Sequence, residues 1–243
     1  TVSAPVPTPT SSSTGIALGR PLRVVVVGDS QANALTINAP ASLASTIALT
    51  NGALDGCGVI DKGTMKSSSR VRRSFGDCLG FQDKWAAKAS AAHADIALVV
   101  LGAWEVFDLS TSDGTLTFGT QAHDDYLLDR LHVGMTALRA TGANVALLEV
   151  PCYRPITVKG GLPALPERGD DRRTRHLNDV LRQAAATDPE HISFITGPQD
   201  FCTNERLATD TAYRWDGVHY YKPGSQLVFN TIAPKLLTLP LPS

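Results

Sequence analysis

The sequence predicts an α/β domain in three layers, with a central parallel sheet of five strands and helices on both faces. Three observations predict it. Short apolar runs rich in β-branched residues alternate with longer segments of helical spacing. Three of those runs stop at Gly28, Gly102 and Pro151, the punctuation expected where a buried strand gives way to a loop. The longest apolar runs, Val24 to Val27 and Ile96 to Leu101, fall far below the roughly 20 residues of a membrane span.

Leu22 to Val27 ends in four consecutive valines before Gly28, the pattern of a strand buried on both faces. A helix is expected from Gln31 onward. Ile47 to Thr50 is the second strand, followed by a glycine-rich stretch from Asn51 to Gly58. Phe81 to Ala92 reads as a helix rich in Ala and Lys, and Ile96 to Leu101 as the third strand. His123 to Thr141 carries Leu127, Leu128, Leu131, Met135 and Leu138 at helical spacing, with Gly142 where a C-cap belongs. Asn144 to Val150 is the fourth strand, Arg172 to Ala186 a helix, His191 to Ile195 the fifth strand, and Gly224 to Leu236 a closing helix. This rhythm implies right-handed crossovers. Open parallel sheets bind ligands outside the carboxyl ends of their strands, so the chemistry is expected there.

The composition agrees with a soluble globular domain: 43% hydrophobic and 19% charged residues over 243 positions. A core of this size needs no metal, cofactor or partner to fold. A net charge of −1, with both signs mixed along the chain, gives no sign of nucleic acid as an obligatory partner. Thr1 to Gly15 is rich in Pro, Ser and Thr and cannot bury enough apolar surface to order itself. Residues 1–20 are therefore expected to form a flexible linker, and 21–243 the domain. The chain begins with Thr and carries no signal peptide, as expected of a processed product or an excised domain preceded by further chain. Cys57, Cys78, Cys152 and Cys202 fit two disulfides; metal ligation and free thiols are the alternatives.

Two segments carry residues suited to chemistry. The first strand runs into Gly28-Asp29-Ser30, which puts Ser30 at a strand-to-helix turn where helix N–H groups favour an anion. A plain helix-capping serine is the blander explanation. Near the other end lies Arg214-Trp215-Asp216-Gly217-Val218-His219-Tyr220. Asp216 and His219 can meet across a turn, the carboxylate orienting the imidazole as base. Taken alone, Asp-x-x-His is more often a surface turn. Its pairing with Gly-Asp-Ser at the first strand end changes that reading.

Together these blocks resemble the SGNH (GDSL-type) hydrolases, over roughly Leu22 to Leu236. The resemblance implies a flavodoxin-like fold, Ser30 as nucleophile, and a triad of Ser30, Asp216 and His219. It implies oxyanion donors at the N–H of Ser30 and at Gly56, from the match of Asn51 to Gly56 with the family's glycine block; a turn glycine is the plainer reading of Gly56. The family's Gly-x-Asn-Asp block corresponds to Gly102-Ala103-Trp104-Glu105, so Trp104 stands where an asparagine donor would be. Either its indole N–H replaces that donor, or the ring walls the pocket or stacks on a sugar. Losing one such donor costs about 100- to 1,000-fold in rate. Trp104, Glu105 and Arg214 are candidate substrate contacts.

With Asp108 after that block, Gly56-Cys57-Gly58 in the glycine block, Pro151-Cys152 after the fourth strand and Arg214-x-Asp216-Gly217-Val218-His219, the sequence more specifically resembles SGNH domains fused to acyltransferase-3 membrane proteins. In these the membrane part, N-terminal in the same chain, delivers an acyl group, often acetyl, which the extracytoplasmic SGNH domain passes to a cell-envelope glycan. The implied partners are thus an acyl donor and a glycan acceptor. The implied location is outside the cytoplasm, tethered to the membrane, as a monomeric domain. Freestanding secreted carbohydrate or lipid esterases, and non-catalytic glycan-binding modules, are the rival functions. Cys152 follows the fourth strand and Cys202 the fifth; adjacent parallel strands bring those ends together, so Cys152–Cys202 is the expected bridge and Cys57–Cys78 the other. His93, His123, His132, His176 and His191 are expected to be surface or packing residues. Arg154 and the basic run Lys66 to Arg73 are possible contacts for an acidic glycan.

Overall fold

The computed structural model describes residues 19–161 and 163–242, so residues 1–18 of the expected linker lie outside the described residues. In chain order, β1 (Leu22–Gly28) leads into α1 (Ser30–Ile37) and β2 (Ile47–Asn51). β3 (Thr64–Lys66) and β4 (Arg72–Ser74) precede α2 (Phe81–Ala91) and β5 (Ile96–Val100). β6 (Asp108–Thr111) and β7 (Gly114–Leu116) precede α3 (Gln121–Arg139) and β8 (Asn144–Leu148). α4 (Asp171–Ala185), β9 (Ile192–Ile195), α5 (Asp200–Thr203), α6 (Glu205–Ala208) and α7 (Lys222–Leu236) complete the order.

The central sheet runs β2-β1-β5-β8-β9, with every pairing parallel. This is the flavodoxin-like order. Strand alternation divides the core in two. Val25, Val27, Val99, Val145 and Leu147 pack with Trp85, Leu131 and Leu181 from α2, α3 and α4. Val24, Val26, Ile96, Leu98 and Leu148 pack with Leu35, Phe229 and Ile232 from α1 and α7. A valine run thus feeds both faces, which is why it shows no polar alternation.

A second sheet, antiparallel in the order β4-β3-β6-β7, was not expected. Its strands are three or four residues long and largely polar, with Lys66, Arg72 and Arg73 among them. Met65, Phe75 and Leu109 anchor it in the core on the α2–α3 side. Two disulfides, Cys57–Cys78 and Cys152–Cys202, are formed as expected. At the amino edge of the main sheet, Arg20 and Arg23 converge on the Asp95 carboxylate. No helix of the described residues is long and apolar enough to cross a membrane.

Candidate active site

The site is built at the carboxyl edge, where β1 turns into α1. Gly28 makes the turn at φ +135°, and a Cβ there would collide with the Val100 carbonyl of β5. Asp29 is fully buried and caps α1, its Oδ1 accepting the Gln31 N–H at 2.7 Å. Its other oxygen accepts the Ala103 N–H at 3.2 Å. Ser30 follows as the first residue of the helix, its own N–H among those without a helical acceptor.

Ser30 Oγ lies 2.7 Å from His219 Nε2. His219 Nδ1 lies 2.6 Å from Asp216 Oδ2. The other Asp216 oxygen accepts the N–H groups of Val218 and His219, at 2.9 and 2.7 Å. Burial alone would raise the Asp216 pKa, but the imidazole hydrogen bond and charge, with these two N–H groups, hold it below the usual carboxylate value. An ionised Asp216 can hold the imidazole with Nδ1–H inward, an arrangement that leaves Nε2 as the acceptor toward the Ser30 hydroxyl.

The loop carrying these residues is pinned from several sides. Arg214 and Tyr220 form an antiparallel bridge. Arg154 N–H donates to the Gly217 carbonyl at 3.1 Å and Ile156 N–H to that of Asp216 at 3.0 Å. Gly217, at φ +77°, sits so close to Arg154 that any Cβ would strike its carbonyl. Trp215 stacks on the His219 ring, centroids 5.4 Å apart and planes within 14°.

Arg214 is not a substrate contact. It is fully buried, donating from Nη1 to the Cys152 carbonyl at 2.7 Å and from Nη2 to that of Ala208 at 3.0 Å, and it lies over Phe201 at 4.3 Å. It supports the histidine loop from below. Glu105 is corrected in the same way. It has no exposed surface and accepts the N–H groups of Val59, Gly102 and Trp104, joining the glycine block to the third strand end. Arg154 is held by Asp171 and Glu205.

Trp104 is 6% exposed. Its ring has Arg168 at 4.4 Å and Arg73 at 5.7 Å, with Phe75 edge-on. Its Nε1 is sealed and has no hydrogen-bond partner among the described residues. Trp104 therefore presents no indole donor; its ring lines a separate hollow with Arg72, Arg73 and Asp77. Gly56, at φ +79°, lies in a loop tied to β1 by Leu54 N–H to Gly28 O at 2.8 Å. Arg73 clamps its carbonyl through Nε and Nη2. Its N–H donates no hydrogen bond among the described residues.

Sequence reasoning missed Arg168, Trp215 and the role of Asp29. Arg168 and Trp215, with Asp216, His219, Ile156 and Leu165, line a cavity of about 160 Å³ beside the imidazole. Burial, then the nearby Glu105 carboxylate, pushes the Asp29 pKa up to about 7. The one cluster with metal-ligand spacing among the described residues is Cys57, Asp77 and Cys78, and its sulfurs are joined in the disulfide.

The family of SGNH domains described as fused to AT3 domains matches residues 7–234. The chain belongs to that family. Solved structures share the fold of this SGNH domain at low identity. The periplasmic domain of the Salmonella ser. Paratyphi A lipopolysaccharide acetyltransferase has a TM-score of 0.55 and 15% identity, over 89% of this chain and 84% of that one. A GDSL-like lipase from Bacteroides thetaiotaomicron has a TM-score of 0.53 and 16% identity, over 88% and 87%. The acetyl xylan esterase AlAXEase has a TM-score of 0.53 and 11% identity, over 88% and 100%. No curated protein matches the chain at a significant level.

Proposed function

We propose that this SGNH domain carries out serine-dependent acyl transfer outside the cytoplasm, moving an acyl group, acetyl in the first instance, to or from a cell-envelope glycan. The observation that carries this reading is the line of two short contacts, Ser30 Oγ to His219 Nε2 and His219 Nδ1 to Asp216. Family membership and the likeness to an acetyltransferase periplasmic domain support the substrate class. The two disulfides support the compartment. An acyltransferase-3 membrane domain in the same chain is the proposed source of the acyl group.

Ser30 Oγ attacks the ester carbonyl carbon while its proton passes to His219 Nε2. The carbonyl electron pair moves onto oxygen, facing the N–H groups of Ser30 and Gly56. Collapse breaks the ester C–O bond, and the leaving oxygen takes the proton from His219. A sugar hydroxyl or water then attacks the acyl-serine, giving up its proton to His219; the acyl–Oγ bond breaks, and Oγ takes that proton to regenerate Ser30.

The test is turnover of a chromogenic acetyl ester by Ser30→Ala. Lost turnover with an unchanged melting curve is expected; activity equal to the parent protein excludes Ser30 as nucleophile.

A further inference from the structure

We propose that Arg168 supplies the third oxyanion-stabilising group of this site, in place of the asparagine whose position Trp104 occupies. The proposal rests on Ser30 as the attacking group.

Arg168 sits on the short 3-10 turn Pro166–Gly169 and is 7% exposed. A single hydrogen bond, from Nε to the Ala103 carbonyl at 2.6 Å, fixes the plane of its guanidinium, which lies 4.4 Å over the Trp104 ring. Neither Nη group makes a hydrogen bond or an ion pair among the described residues, and neither is sealed from solvent. The residue lines the cavity shared with Asp216 and His219. A buried cation is ordinarily paired. Here both Nη groups are left unspent on any acceptor of the described residues, in a side chain that borders the cavity beside the imidazole.

Acidic groups lie near, but their oxygens are already engaged. Asp29 accepts from Gln31 and Ala103, Glu105 from Val59, Gly102 and Trp104, and Asp216 from Val218 and His219. Burial pulls the Arg168 pKa below its usual value, against Asp29, Tyr153, Asp216 and Glu105; an arginine keeps its charge regardless.

The placement follows from the backbone. Ala103 accepts from Arg168 through its carbonyl and donates to Asp29 through its N–H, and Asp29 precedes Ser30. One residue therefore joins the guanidinium to the nucleophile turn. A neutral ester carbonyl gains little from this cation, whereas the oxyanion of the tetrahedral intermediate gains much in a partly dry cavity. The guanidinium therefore favours the transition state over the bound ester.

Arg168→Met and Arg168→Lys are assayed on p-nitrophenyl acetate for kcat and KM separately, with melting curves and with added guanidinium chloride. Arg168→Met is expected to lower kcat about 100-fold or more, with KM changed less than about threefold and part of kcat recovered with guanidinium. Arg168→Lys keeps the charge without the fork and is expected to lose about tenfold in kcat; it carries the test if Arg168→Met does not fold. An unchanged kcat, or a loss that follows the melting temperature and resists guanidinium, overturns the proposal. Ser30→Ala run alongside separates the two claims: full activity there removes the nucleophile, while Ser30-dependent but Arg168-independent turnover removes Arg168 alone.

Discussion

Asp29 Oδ2 accepts the N–H of Ala103 at 3.2 Å, so one buried carboxylate joins the turn that bears Ser30 to the end of the third strand of the central sheet. The same side chain caps α1. Its pKa, raised to about 7 by burial and then by Glu105, lies above the unfolded value of about 3.9. The stabilisation from its protonated form is complete below the unfolded value and is lost as pH rises through about 7. Asp29→Asn carries no charge at any pH, so its melting temperature is expected to fall less than the parent's between about pH 5 and about pH 8. A fall as large as the parent's would contradict this.

Asp216→Asn keeps the shape of the side chain but cannot hold the imidazole in the same tautomer. An expected loss of about 10,000-fold in kcat, with the fold retained, is read from ester turnover and circular dichroism.

Arg214 contributes through support of the loop. Replacing it with Ala leaves the carbonyls of Cys152 and Ala208 without their donors and opens a cavity beside Phe201. Destabilisation of about 3 kcal/mol or more is expected in urea titration. Turnover that survives in the folded fraction would agree with a supporting role.

The Cys152–Cys202 bridge closes a separation of 50 residues under the histidine loop. Chain-entropy reasoning assigns it about 4 kcal/mol, so the Cys152→Ala/Cys202→Ala double variant is expected to unfold at correspondingly lower denaturant.

Asp95 tests the opposite edge. Burial works against its charge, but hydrogen bonds from Arg20 and Arg23 hold its pKa far below the ordinary value. That stabilisation is present above the unfolded pKa of about 3.9 and is lost as pH falls through the folded one. Asp95→Asn is therefore expected to be less stable than the parent near neutrality, with the gap closing in strong acid and esterase activity unchanged.

The central sheet was legible because Val24 to Val27 and Ile96 to Val100 are apolar enough to be read without alternation. The end of the fourth strand was not. Val150 looks like a strand residue, but its N–H and carbonyl pair with the Asn178 side chain instead of a neighbouring strand, and β8 stops at Leu148. The closing helix begins at Lys222, with Pro at its first turn, two residues before the sequence suggested, because proline there needs no hydrogen-bond acceptor. The antiparallel sheet escaped notice because strands of three or four residues have no measurable period. In the site, Ser30, Asp216 and His219 carried a motif, and the structure brings the three together. Arg168 carried none: it lies in a polar stretch, and only the contacts with Ala103 and Trp104 reveal where its charge is held.

The most direct test of the central claim is peptide mapping by mass spectrometry after reaction with a fluorophosphonate. A single adduct on Ser30 is expected, forming in the parent protein and failing to form in His219→Ala. An adduct on another residue, or one that forms equally fast without His219, would contradict it.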